Sequence, residues 1–338
     1  MSDRKLLPPA GSRQPPQHAN FQLPPLSDLV SLVRAPAALS VPGDILAGAT
    51  AAGRPLGPRT AGAMASSVCL YWAGMALNDY ADAAVDSVER PTRPVPSGRV
   101  PRRTALAVAT GLTGAGLGLA AVSGGRRGLA VALPLTALIW AYDLKLKSTP
   151  AGPAAMAGAR ALDVLAGAVA GGGSPPWHGP RGGGTAGALA RGAVPALLTG
   201  VHTYTLTALS RHEISGAPAR LPATTLAVSS ATALSTVLPS VLPALLPPRR
   251  TLPREEVART AVASAGVLAY LGTYGWAQVR AVRDPRASSV RRAVGAGILA
   301  MVPLQAALTA RAGAPVAAAL LGALHPVAQR LARRVSPT

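Results

Sequence analysis

Long stretches without a single charged residue constrain this chain more than any other feature. They run over residues 60–77, 104–125, 128–142, 164–180, 192–210, 221–248, 260–279, 293–310 and 312–329. Most approach the roughly 20 residues that a bilayer-spanning helix needs. A further stretch, about 35–53, contains one charge, Asp44. The helices of a soluble bundle would each need a polar face, and these windows have none. They are built from Ala, Leu, Val and Gly, and small residues let helices approach closely inside lipid. The expectation is an all-α polytopic membrane protein with about nine transmembrane helices. These fall near 36–53, 60–79, 104–123, 127–142, 153–171, 189–209, 222–245, 257–279 and 292–310. The stretch 312–329, with Pro315 and Pro326, reads as a tenth span or as a helix lying at the interface.

The flanks differ in character. Residues 1–33 are polar and proline-rich without the apolar core of a signal peptide, so a disordered cytoplasmic tail is expected there. The membrane domain then covers 34–330, and 331–338 forms a basic C-terminal tail. The segment 172–185 (GGGSPPWHGPRGGG) reads as a flexible loop. With the N-terminal tail inside, the inner loops near 80–103, 143–152, 210–221 and 280–292 carry 14 basic residues against 10 in the outer loops. The positive-inside rule favours that orientation. The net charge of +20 then meets anionic lipid headgroups. A nucleic-acid partner would call for aromatic stacking platforms, and aromatics make up only 3% of the chain; none is expected. One cysteine, Cys69, excludes a disulfide framework and reads as packing.

The scarce acidic residues carry the chemistry. Four of the 13 fall in the segment Asn78-Asp79-Tyr-Ala-Asp82-Ala-Ala-Val-Asp86-Ser-Val-Glu89. On a continuous helix Asn78, Asp79, Asp82, Asp86 and Glu89 share an arc of roughly 100°. Like charges so placed repel unless a cation sits among them. Mg²⁺ fits, because it takes carboxylate oxygens and shares its shell with phosphate. The next residues, ERPTRPVPSGRVPRR, supply Arg90, Arg93, Arg99, Arg102 and Arg103 on what the proline spacing predicts is a stiff, extended loop. Carboxylates for a metal beside guanidiniums for phosphate oxygens suggest a Mg²⁺–diphosphate site. The plain alternative is a solvated acidic helix end neutralised by its own arginines.

The pattern N-D-x-x-D-x-x-x-D followed by R-P-x-R-P-x-P-S-G resembles the first aspartate-rich motif of the UbiA superfamily of membrane prenyltransferases. The similarity extends from about 34 to 310. Arg34-Ala-Pro and Asp44 sit where these proteins begin their first helix. Tyr142-Asp-Leu-Lys145 resembles the family's segment after the fourth helix, and Arg160-Ala-Leu-Asp163 an Arg-x-x-Asn segment on the fifth. The stretch SRHEISG suggests the EboC-like branch. The resemblance implies a nine-helix bundle around a central cavity capped by two polar cytoplasmic loops. There Mg²⁺ and an isoprenyl diphosphate bind, diphosphate departs, and a small acceptor, aromatic or other, captures the allylic cation. It assigns metal binding to Asp79, Asp82, Asp86 and Glu213. Asn78 orients the site, and Arg90, Arg93, Lys145, Arg160, Asp163, Arg211 and His212 contact substrate, with Tyr142 beside Lys145.

This sequence departs from the family where the second motif usually carries two aspartates. Ser210-Arg211-His212-Glu213-Ile214-Ser215-Gly216 has only Glu213. A second metal would find a poor ligand set, and Arg211 and His212 would bind phosphate instead. Asp163 either adds a carboxylate or pairs with Arg160. The depleted loop also keeps open a catalytically degenerate relative that handles a lipid or metabolite. A CDP-alcohol phosphotransferase is disfavoured, since no D-G precedes Asp79. Lys147 reads as an i, i+4 partner of Asp143, and His202 as an interhelical hydrogen-bonding group. Tyr71, Trp72 and Trp140 are the candidates for stacking on an acceptor.

Overall fold

A computed structural model describes residues 24–34, 38, 40–171, 184–245 and 253–334, which hold helices and, among the described residues, no strand. The first helix, α1 (Leu26–Leu32), corrects the expectation of a tail reaching residue 33. It buries Leu32 against Leu77 and Val100, and its Asp28 pairs with Arg99. The rest of the expected tail, 1–23, the core of the expected loop at 172–185, and 335–338 lie outside the described residues.

The remaining helices follow the charge-free windows. They are α2 (Val41–Ala51), α3 (Pro58–Ala81), the short α4 (Ala83–Glu89), α5 (Arg102–Ala141), α6 (Gly152–Val169), α7 (Thr185–Ser210), α8 (Arg220–Leu245), α9 (Arg254–Tyr270), α10 (Trp276–Arg283), α11 (Ala287–Arg311) and α12 (Pro315–Arg334). Straight, the 40 residues of α5 would stretch about 60 Å, twice the hydrocarbon thickness. It is instead a hairpin turned at Gly125, whose φ of 59° and ψ of −145° suit glycine alone. Trp140 on the returning half donates to Thr113 on the outgoing half at 3.2 Å. The two windows expected at 104–123 and 127–142 are those two halves. A π-helical turn (Leu271–Gly275) joins α9 to α10 as one bent rod over the window expected at 257–279.

Small residues set the closest crossing. A Cβ on Gly48 of α2 would lie 1.8 Å from the Val164 carbonyl of α6, and one on Gly167 of α6 would lie 2.2 Å from the Ile45 carbonyl of α2. Backbone therefore meets backbone there, as small residues permit in lipid. At the centre runs α11, buried at every position from Ala300 to Ala310. α12 returns along it: Ala318 packs with Ala310 and Leu321 with Val302 and Ala306. That antiparallel course decides between the two expectations for 312–329, since a helix lying across the bundle could not follow α11 in register. Among the described residues four helical stretches, Pro58–Ala81, Arg102–Leu146, Arg220–Pro239 and Ala287–Arg311, are long and apolar enough to cross a membrane.

Candidate active site

All four loops expected on the inner side meet at one end of the bundle. Lys147, after α5, reaches Asp82 at the end of α3 (2.5 Å). Arg211, after α7, donates to the carbonyls of Lys147 (3.1 Å) and Thr149. Arg291 of α11 donates to the Glu213 carbonyl (3.3 Å), and the Ala217 N–H donates to Pro285 (3.0 Å).

The acidic segment is not one helix, contrary to the sequence expectation. Asp82, with φ −87° and ψ 4°, ends α3 and begins α4. The bend keeps Asp79 and Asp86 together: both are buried, and Arg93 lies 3.6 Å from Asp79 and 2.6 Å from Asp86. Arg34, with a left-handed φ of 46°, supplies Asp79 with a second guanidinium at 2.8 Å. Glu89 is exposed and turns away. The proline-rich loop is also not extended. Turn hydrogen bonds such as Ser97 N–H to Arg93 O and Val100 N–H to Pro94 O (3.0 and 2.9 Å) fold it back, because burying Val95 and Val100 against α3 and α5 outweighs the proline stiffness.

Beneath this rim lies a cavity of about 450 Å³. Its mouth is polar: Arg34, Asn78, Asp82, Arg90, Arg93 and Glu213. Its middle is apolar, walled by Leu70, Leu135, Ile139, Met156, Leu206 and Ile298, with Tyr71 and Tyr142 also facing in. Asn78 donates to Asp143 (3.2 Å), another lining carboxyl. Of the candidate stacking residues only Tyr71 lines the cavity; Trp140 is spent on Thr113.

Lys145 and Lys147 exchange their expected places. Residues 142–146 form a π-helical turn, closed by the Lys147 N–H on the Tyr142 carbonyl (3.0 Å). The extra residue in that turn breaks the shared face predicted for Tyr142 and Lys145. Lys145 is exposed, while Lys147 pairs with Asp82 rather than with Asp143. Arg211 and His212 do not line the cavity; Glu213 does. Glu213 is half-buried, which raises its carboxyl above the usual range, and Arg90 and Arg291 partly offset this.

Deeper in the cavity the Arg160–Asp163 segment opens into a polar cluster. Arg160 pairs with Asp44 (2.8 Å), not with Asp163. Asp44 also accepts from Gln305 (2.7 Å). Asp163 takes the Ser67 hydroxyl on both oxygens (2.5 and 2.7 Å). His202, outside the cavity, bridges Tyr270 (3.0 Å) and the Gly297 carbonyl (3.2 Å), as an interhelical hydrogen-bonding group should. Sequence reasoning left Arg34, Asp143 and Lys147 out of the site, although each stood inside or beside a quoted motif. The Arg34–Asp79 pair spans 45 residues, and no local signal announces it.

The UbiA prenyltransferase family model matches residues 41–294, three quarters of the chain. The chain belongs to the UbiA prenyltransferase family. Among its relatives is the digeranylgeranylglyceryl phosphate synthase of Methanopyrus kandleri, 44% identical over 110 residues. That match covers 32% of this chain and 38% of the relative, so the chain spans well under half the length of the curated relative it matches. The structure of a UbiA homologue from Aeropyrum pernix K1 superimposes with a TM-score of 0.56 at 18% identity, covering 78% of this chain and 96% of that one. A UbiA homologue from Archaeoglobus fulgidus, bound to DMAPP and Mg²⁺, gives a TM-score of 0.53 at 14% identity over 81% and 99% of the two chains. At these identities the likeness is one of fold. The EboC-like branch expected from SRHEISG is not among these relatives, and the family assignment does not depend on it.

Proposed function

We propose that this protein is an integral-membrane prenyltransferase that uses an isoprenyl diphosphate donor and Mg²⁺, with its loop cap on the cytoplasmic side. The observation that carries this reading is the cavity's division: carboxylates and guanidiniums at the mouth, aliphatic walls below. That is the polarity of an isoprenyl diphosphate, head outward and chain inward.

The mouth suits Mg²⁺. Among the described residues no three acidic, histidine or cysteine side chains form a closed metal site. Mg²⁺ needs none, since it commonly takes one or two carboxylates and completes its shell with water and substrate phosphate. Asp82 lines the cavity and gives one oxygen to Lys147; Asp86, one turn on, gives one to Arg93. The second oxygen of each is the natural metal donor, with Asp79 and Glu213 beside them. The metal, when bound, neutralises charge developing on the departing diphosphate.

The chain's own groups do the rest. Arg90, Arg93 and Arg34 offer forked donors to phosphate oxygens, and Lys147 adds a point charge. Arg211 holds the 147–149 turn in place, and Asn78 holds Asp143. The carbon–oxygen bond of the donor breaks with its electron pair leaving on diphosphate. Leu70, Leu135, Ile139 and Ile298 keep water from the allylic cation, and the rings of Tyr71 and Tyr142 face it. The acceptor forms the new bond and releases its proton. The name of the Methanopyrus relative supports a hydroxyl-bearing acceptor.

A second reading follows from the loop that keeps only Glu213 and from carboxylates already matched by Arg34, Arg93 and Lys147: a degenerate relative that binds donor without cleaving it. The test is transfer. Protein in nanodiscs, given Mg²⁺, geranyl, farnesyl or geranylgeranyl diphosphate and a pooled lipid-alcohol extract, should form a product heavier than an acceptor by one prenyl group. Donor binding with no such product would support the degenerate relative.

A further inference from the structure

The mouth and the walls account for a donor, but not for the floor. Ser67 precedes Asn78 by eleven residues on α3, about 16 Å along the axis. At that depth Ser67, Arg160 and Asp163 line the same cavity. An apolar chain end pressed on them would leave buried polar groups without partners, which is costly. The floor is therefore unsuited to an isoprenyl tail. A cavity that performs a transfer must hold a second reactant, and a polar group on that reactant is what the floor can take.

The floor has more acceptors than donors. Arg160 spends Nε on Asp44 and Nη2 on the Ser40 hydroxyl (2.8 and 3.2 Å). The Asp44 carboxyl is satisfied by Arg160 and Gln305. Asp163, only 5% exposed, has one hydroxyl shared between both oxygens, and its nearest acidic neighbour is Asp44 itself. Two carboxyls thus face one guanidinium, and the Gln305 carbonyl oxygen is buried without a partner. Such a site is completed by a hydrogen-bond donor, not by another anion.

We infer that Asp163, with Ser67, forms an acceptor-recognition site that selects a hydroxyl or ammonium group and rejects a carboxylate. This rests on the prenyl-transfer reading, since it assigns the floor to the second substrate. Asp163 acts here in binding; the reacting carbon of the donor lies nearer the mouth.

The experiment keeps the two readings apart. Full-length protein in nanodiscs is first titrated with Mg²⁺ and inorganic diphosphate, which fill the mouth. It is then titrated with 3-phenylpropanol, 3-phenylpropylamine and 3-phenylpropanoate, which differ only in their polar end. A hydrogen bond to a charged group is worth enough for alcohol and amine to bind about tenfold tighter than the acid. Asp163→Asn, which exchanges an acceptor oxygen for a donor, should shrink that ratio to about threefold or less. Ser67→Ala, which frees the Asp163 oxygens, should keep the ratio or widen it, and serves if Asp163→Asn does not fold. Equal or tighter binding of the acid would assign the floor to Arg160 and overturn the inference. So would diphosphate binding with no probe bound, or a ratio indifferent to Asp163→Asn. Discrimination among the probes without any diphosphate binding would instead sink the prenyl-transfer reading and leave a floor specific for hydrogen-bond donors.

Discussion

Two lysines separated by one residue carry different expectations. Lys147 meets Asp82 at the mouth (2.5 Å), while Lys145 is exposed beyond the π-helical turn. Lys147→Met should weaken Mg²⁺–diphosphate binding about tenfold, the scale of one lost charge-assisted bond, and Lys145→Met should leave it within about twofold. Isothermal titration separates them; equal effects would refute the assignment. Glu213 gives a pH prediction. Burial raises its folded pKa above the unfolded value, with Arg90 and Arg291 opposing. Its contribution to stability is therefore complete at acid pH and is lost as pH rises through the raised pKa. Glu213→Gln should melt higher than the parent near pH 8, by on the order of 1–2 °C, and no higher at pH 4. The motif residues themselves were legible in the sequence because carboxylates are so rare in this chain. Their partners were not, because the Arg34–Asp79 and Lys147–Asp82 pairs depend on how distant loops meet.

At the level of helices, glycines decide geometry at two places. Gly125 turns the α5 hairpin with φ at 59°, so Gly125→Ala should cost about 1–3 kcal/mol of stability. Gly167→Ala would drive a Cβ to 2.2 Å from the Ile45 carbonyl and pry α2 from α6, at about 1–3 kcal/mol or more. Gly118→Ala is the control, since nothing lies within 4 Å of its added Cβ. Thermal unfolding in detergent should rank the parent and Gly118→Ala above both damaging variants. The windows 104–123 and 127–142 could be read as two helices because Arg126 and Arg127 interrupt the apolar run. The break at Asp82 and the π-helical turn at 142–146 could not, because helical periodicity persists through both and only packing around the mouth displaces the chain. The proline-rich loop misled for a similar reason: its prolines suggest extension, while buried Val95 and Val100 fold it.

The molecule as a whole is a bundle of small-residue helices, whose loops at one end bring distant charges over an apolar cavity. Every loop that the charge count placed inside contributes to that cap, through Lys147, Arg211, Arg291 and the Ala217–Pro285 bond. Charge-free windows made the bundle readable from sequence. The cavity's floor was not, since Asp44, Ser67, Asp163 and Gln305 come from four helices. The central claim is that this cap drives departure of diphosphate from an isoprenyl donor. The most direct test is Mg²⁺-dependent diphosphate release from geranylgeranyl diphosphate by nanodisc-embedded protein, supplied with the lipid-alcohol extract, beside Asp82→Asn. The account predicts release by the parent and a loss of at least about a hundredfold in the variant, the scale of removing one transition-state charge contact. Undiminished release from a folded Asp82→Asn protein would contradict it.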